Sequence, residues 1–156
     1  MTVEDVPAVY ELDTLSFSLP WTERSFAYEV TENPNARTWV VEIDHDGIPR
    51  LVGMLVLWIF LDEAHIATLA VHPDFRRQGI AGHLLRMALN SAYADGTRHA
   101  LLEVRAGNQV AREMYEKLGF AVVGFRHHYY HDNDEDALLM TLENLVPRDP
   151  GDNHAR

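Results

Sequence analysis

The sequence contains no cysteine. That excludes a disulfide framework, a thiolate zinc site and a cysteine nucleophile together. Cations are scarce as well: 13 Lys and Arg stand against 24 Asp and Glu, a net charge of −11, and Lys117 is the single lysine. An acidic excess of that size repels phosphates, so neither nucleic acid nor an anionic membrane is expected as a direct partner. It suits a basic partner, although solubility alone would also account for it. Long apolar runs are missing too. The longest, Leu51 to Leu61, is broken only by Gly53 and falls far short of the roughly 20 residues that cross a bilayer. The N-terminus, Met-Thr-Val-Glu-Asp-Val, carries acids where a signal peptide needs cations. A soluble, cytoplasmic protein is expected.

What is present suits one domain. A chain of 156 residues, 47% of them apolar, can bury a core without covalent staples. Residues 1–145 show neither repeat nor linker and read as a single domain. From Val146 onward the sequence is rich in Pro, Gly, Asp and Asn, and residues 146–156 are expected to be a disordered tail.

The periodicity alternates in an informative order. Val6, Val9, Tyr10, Leu12 and Leu15 mark a helical face, Pro20-Trp21 breaks it, and Thr22 can cap a second helix reaching about Thr31. Strand-like stretches follow at Thr38–Asp44, Leu51–Asp62 and Ala64–Val71, with the turn signal Asp46-Gly47 between the first two. Gly79 opens a helix carrying Ile80, Leu84, Ala88 and Ala92, closed by Asp95-Gly96. After a strand at Ala100–Arg105, Asn108 caps another helix, stopped by Gly119. Two more strands, Phe120–Tyr130 and Asp136–Leu142, complete a mixed α/β domain.

The most specific segment is Val71-His72-Pro73-Asp74-Phe75-Arg76-Arg77-Gln78-Gly79-Ile80-Ala81-Gly82. Its glycines permit close backbone approach, the helix start behind them offers unpaired N–H groups, and two arginines add charge. That is a phosphate cradle, or else a tight strand-to-helix turn with solvated arginines. Neither a nucleotide triphosphate loop nor the dinucleotide fingerprint is present.

The pattern Arg76-x-x-Gly79-x-Ala81 resembles the acyl-CoA-binding motif of the GNAT superfamily of N-acetyltransferases. Leu102-Glu103-Val104-Arg105-Ala106-Gly107-Asn108 and Met114-Tyr115-Glu116-Lys117-Leu118-Gly119-Phe120 match the second half of that fold in spacing and type. Pro20-Trp21, Leu61-Asp62-Glu63-Ala64 and Tyr129-Tyr130 with Asp136-Ala137 resemble one branch, the protein N-terminal acetyltransferases that modify a ribosomal-protein alanine. The resemblance implies a GNAT fold, with a mostly antiparallel sheet splayed around the acyl-CoA site and flanked by helices. It implies acetyl-CoA as co-substrate and, as partner, a protein or peptide N-terminus such as that of a basic small-subunit ribosomal protein. The family usually opens with an edge strand before the first helix, whereas Met1 here falls almost at that helix.

The implied reaction is attack of an amine on a thioester. An α-amino group, with a pKa near 7.7–8, is about a tenth to a quarter neutral at pH 7, so only modest base help is needed. Glu103 shares a strand face with Leu101 and Arg105. By pattern alone it is a solvated carboxylate; the resemblance makes it the base, acting through a water. Tyr115 is either a packed helix aromatic or, by resemblance, the proton donor to the leaving thiolate. The resemblance also assigns the acyl and pantetheine portion to the backbone of Leu69, Ala70 and Val71. It gives the phosphates to Arg76, Arg77, Gln78, Gly79, Ile80, Ala81 and Gly82, and a further contact to Asn108, which can equally serve as a helix cap.

Trp21, Tyr129 and Tyr130 are the candidate substrate contacts. Trp21 can instead be a hydrophobic staple. Adjacent tyrosines on a regular strand point opposite ways, so at most one of this pair is expected to face the cleft. His127, His128 and His131 lie near acids, but neighbouring strand histidines diverge and no metal is expected. Two rival readings keep the fold: an enzyme for a small-molecule amine or lysine side chain, and a non-catalytic acyl-CoA sensor.

Overall fold

The computed structural model describes residues 1–149. After a 3-10 turn at Val3–Asp5 come helices α1 (Val6–Ser16) and α2 (Glu23–Thr31), then strands β1 (Ala36–His45), β2 (Ile48–Phe60) and β3 (Glu63–Val71). Helix α3 (Ile80–Ala94), β4 (His99–Arg105), α4 (Gln109–Lys117), β5 (Ala121–Tyr130) and β6 (Glu135–Leu142) complete the order expected from periodicity. The caps act as their residue types suggest. Thr22 accepts from the Ser25 amide and Asn108 from the Ala111 amide. No strand precedes α1 among the described residues; the Met1 amino group donates to the Thr38 carbonyl on β1 at 3.4 Å.

One six-stranded sheet runs β1-β2-β3-β4-β6-β5. All its pairings are antiparallel except β3 with β4. Helices cover both faces, which explains the long apolar run of β2. Leu55 and Leu57 join a core with α3 and α4, while Met54 and Val56 join a second core with α1 and α2. A strand buried on both sides has no polar alternation to display. Each such side chain contributes roughly 1.5–3 kcal/mol by leaving water.

Two backbone details position the cleft. A Cβ on Gly53 would lie 3.1 Å from Ile80 Cγ2 and 3.2 Å from Leu84 Cδ1, so α3 begins hard against β2 because residue 53 has no side chain. The second detail is the divergence of β3 and β4. Their parallel pairing covers only Glu63–His65 against His99–Leu101. Just beyond, the register of β3 against β2 slips at Ala67, a bulge that bends the strand and strengthens its twist. The remainder of β3 pairs with β2 alone, and β4 turns to β6.

The C-terminal segment does not leave the domain at Val146. Asn90 on α3 donates to the Arg148 carbonyl at 2.7 Å and accepts its amide at 2.8 Å. The expected tail is therefore held against α3 as far as Arg148, because a paired amide side chain satisfies the backbone there. The rest of that expectation, residues 150–156, lies outside the described residues. Among the described residues, no helix is long and apolar enough to cross a membrane.

Candidate active site

Glu103 sits on β4 where β3 has begun to part from it. Alternation along β4 buries Ala100, Leu102 and Val104 and leaves Leu101, Glu103 and Arg105 on the other face, as the pattern predicted. Glu103 Oε2 is 2.7 Å from His65 Nε2 on β3, and its Oε1 is 4.0 Å from an Arg126 nitrogen on β5. A carboxylate can only accept, so His65 Nε2 carries the proton. This hydrogen bond, helped by Arg126, holds Glu103 below the usual carboxylate range although burial opposes it. His65 went unnoticed in the sequence, where a lone histidine on a strand carries no signal of its partner.

Tyr115, on α4, is 7% exposed, with its ring 5.7 Å from that of Phe120. It belongs to the core between α3, α4 and the sheet, the packed position that pattern alone suggested. Burial, reinforced by Tyr130, pushes its pKa well above the ordinary phenol value, so it keeps its proton at any working pH. Burial also pushes Tyr130 up to about 12, against the opposing charge of Arg105. Glu103 lies close enough to Tyr130 to act on its proton electrostatically, and Tyr130 acts likewise on that of Tyr115. The three side chains therefore form one neighbourhood.

The adjacent tyrosines depart from expectation. Their rings lie 5.1 Å apart at 89°, not on opposite faces. The register of β5 against β6 is irregular between Arg126 and Tyr130, and His128 has φ 53°, so the alternation assumed for a regular strand fails here. Asp136 accepts the His128 amide at 2.9 Å and lies 3.1 Å from His127 Nδ1, while His128 Nδ1 is 2.7 Å from Asp134.

Arg105 ties two loops together at this mouth. Its guanidinium lies 3.9 Å from the Tyr130 ring centroid, bonds Asp132 at 2.9 Å and 3.0 Å, and bonds Glu135 at 3.2 Å. It also reaches Ser18 Oγ at 3.2 Å, and Ser18 donates in turn to Asp132. The α1–α2 connection is thereby fastened to the β5–β6 turn. Trp21, in that connection, is the staple of α2: its ring is 5.3 Å from Phe26 and stacks on Trp58 at 6.0 Å. Its amide donates to buried Asp13 at 2.7 Å.

The segment read as a phosphate cradle follows the far end of β3. Beyond His65 the backbone of β3, including Leu69, Ala70 and Val71, is paired on the β2 side only. Arg76 Nε donates to the Val71 carbonyl at 3.0 Å, drawing the loop against the strand end. Arg77 and Gly79 have φ of 61° and 81°, and Gly79 is the N-cap of α3. Gln78 precedes that cap, and Ile80, Ala81 and Gly82 form the first turn, whose amides lack intrahelical acceptors. Unpaired strand backbone beside a helix N-terminus and two arginines fits a pantetheine arm ending in phosphates. Asn108 lies across the divergence, its side chain engaged as a cap.

Residues 6–120 match the Acetyltransferase (GNAT) family. A Bacillus subtilis (strain 168) protein provisionally named [ribosomal protein bS18]-alanine N-acetyltransferase is 40% identical over 140 residues, covering 90% of each chain. The [ribosomal protein bS18]-alanine N-acetyltransferase of Escherichia coli (strain K12) is 34% identical, covering 88% of this chain and 90% of that one. A crystal structure of the ribosomal-protein-S18-alanine N-acetyltransferase from Escherichia coli superposes with a TM-score of 0.81 at 30% identity, covering 98% of this chain and 94% of the other. The fold alone is shared with Arabidopsis thaliana NAA60 in complex with acetyl-CoA, at TM-score 0.83 and 20% identity over 92% of this chain and 95% of that one. The chain belongs to the GNAT family as an acetyl-CoA-dependent N-acetyltransferase.

Proposed function

We propose that this enzyme acetylates the N-terminal α-amino group of a protein beginning with alanine, a ribosomal protein of the bS18 type being the acceptor that its relatives' names suggest. The observation that carries the reading is the placement of Glu103. It stands where β3 and β4 part, on the same face of β4 as Arg105, whose side chain joins two loops. A net charge of −11 suits a basic acceptor, and such an acceptor would place the reaction in the cytoplasm.

Acetyl-CoA supplies the acetyl group as a thioester, already activated toward an amine. The backbone of Leu69, Ala70 and Val71 would hold the arm nearest the thioester. Arg76, Arg77 and the amides of Gln78, Gly79, Ile80, Ala81 and Gly82 would hold the phosphates, and Asn108 would contact the arm between. Glu103, ionised at any pH where the amine reacts, accepts the amine proton at Oε1, through a water where the gap requires it. Tyr115 presents its hydroxyl proton to the departing sulfur. Full transfer from so buried a phenol to a thiolate with a thiol pKa near 8.5 is uphill, so the donated hydrogen bond carries much of its effect. Trp21, Tyr129 and Tyr130 would line the entry of the peptide.

The test is a peptide panel incubated with enzyme and acetyl-CoA and read by mass spectrometry. It holds alanine-, serine- and methionine-starting peptides, together with N-blocked peptides carrying internal lysine. Acetyl on the α-amine of the alanine starters is the expected result. Transfer to lysine alone, or to no peptide while acetyl-CoA binds, would overturn the acceptor assignment.

A further inference from the structure

We propose that His65 is a positioning residue for the acetyl transfer: by donating Nε2–H to Glu103 Oε2 it holds the carboxylate in one orientation and leaves Oε1 to face the incoming amine. The inference rests on the reading of Glu103 as the base. It adds a residue on a different strand, whose place is set by cross-strand packing.

The geometry is specific. The His65–Glu103 contact is 2.7 Å between partly buried side chains, within the range of a charge-assisted hydrogen bond. Parallel pairing sets His65 opposite Leu101, two residues before Glu103, at the last paired position before the strands part. The imidazole is braced from behind. Trp58, its antiparallel partner on β2, meets it edge to face with centroids 5.4 Å apart. Trp58 is held in turn by Glu29, which accepts its Nε1–H at 2.9 Å, and by the stacked ring of Trp21. Ring plane, donor atom and carboxylate are thus fixed in series from the α1–α2 connection to the reacting end of Glu103.

The chemistry needs such a brace. A free glutamate at this mouth has two equivalent oxygens and several rotamers, and near Arg126 it would swing toward the guanidinium. With Oε2 committed to His65, Arg126 remains at 4.0 Å from Oε1 and that oxygen keeps lone pairs for a proton. The charged and titratable groups around Glu103 are His65 from β3, Arg126 and Tyr130 from β5, and, on its own strand, Arg105 beneath the Tyr130 ring. Of these, His65 makes the one direct hydrogen bond among the described residues.

His65→Leu and His65→Gln, Glu103→Gln, and the double variant His65→Leu with Glu103→Gln test this in the full chain. Thermal melts would establish that each is folded. His65→Leu is expected to lower kcat roughly tenfold with KM for acetyl-CoA unchanged, and His65→Gln, which retains a donor, to recover most of the loss. In the double variant, removing His65 should cost nothing beyond Glu103→Gln. The Glu103 carboxyl titration, followed by carbon NMR, should move to higher pH in His65→Leu and return with glutamine. Unchanged kcat and an unmoved titration in His65→Leu, with Glu103→Gln impaired, would overturn the role of His65 alone. Full turnover in Glu103→Gln would overturn the underlying base assignment.

Discussion

Tyr129 and Tyr130 are consecutive residues of β5, yet their rings meet edge to face at 5.1 Å. The irregular register between Arg126 and Tyr130 brings both to one side, where Arg126 lies 5.8 Å from the Tyr129 ring centroid and Arg105 3.9 Å from that of Tyr130. The mouth of the cleft is therefore an aromatic pair backed by two guanidinium groups.

Arg105 is the fastening of that mouth. Arg105→Met removes its bonds to Asp132, Glu135 and Ser18 together. KM for the peptide should rise about tenfold while KM for acetyl-CoA stays constant, since β3 and α3 are untouched. Steady-state kinetics with each substrate varied would check it; equal rises in both constants would contradict the assignment.

Tyr115→Phe leaves the ring packed and deletes one hydroxyl. Acetyl-CoA binding by calorimetry should stay near wild type, while kcat falls roughly 100-fold, the low end for a general acid. Turnover undiminished in this variant would remove Tyr115 from the mechanism.

The two glycines around α3 should respond to alanine for different reasons. Gly79→Ala meets open space but must hold φ 81°, a strain of roughly 1–2 kcal/mol at the cap of the phosphate cradle. Gly53→Ala has no such strain but presses on Ile80 and Leu84, an overpacking cost of roughly 1–3 kcal/mol. Denaturant melts should show both losses. Replacing Leu84 by Val, which deletes the Cδ1 that the new Cβ would meet at 3.2 Å, alongside Gly53→Ala should recover part of the second and none of the first.

Asp13 gives stability a pH dependence. Burial raises its pKa from 3.8 to about 6, despite the opposing hydrogen bond from the Trp21 amide. A carboxyl whose folded value exceeds its unfolded one binds a proton more tightly in the folded state. The cost of burying its charge is therefore present above pH 6, shrinks as pH falls through 6, and is gone below about 3.9. Asp13→Asn keeps an acceptor for Trp21 and cannot titrate. Wild type should gain stability relative to this variant between pH 7.5 and pH 5, as read from urea unfolding. A constant difference across that range would contradict the burial argument.

Much of this architecture was legible because it is local. Thr22 and Asn108 announce their helices by side-chain chemistry that acts within three residues. The face of Glu103 follows from a period of two along β4. Trp21 was legible as a staple because its partner, Phe26, lies on the adjoining helix. The contacts that depend on register were not legible. His65 meets Glu103 only because β3 and β4 pair in one particular alignment, and Arg105 meets Ser18 only because two distant loops converge. Tyr129 and Tyr130 misled for a related reason: alternation assumes an unbroken ladder, and here β5 carries two residues more than the stretch of β6 it faces. The slip at Ala67, which helps open the cleft, likewise leaves no trace in a smooth β-type sequence.

The short pairing of β3 with β4 also bears on how the molecule holds together. With only the Glu63–His65 stretch laddered to β4, the strands β1–β3 and the strands β4–β6 are nearly separate hydrogen-bonded bodies, clasped at one end and bridged by α3. A molecule that hydrogen-bonds the free edge of β3 while reaching toward β4 supplies the missing rungs. Its binding should make the halves unfold as one cooperative unit and slow amide exchange on both sides of the gap, including strands it never touches.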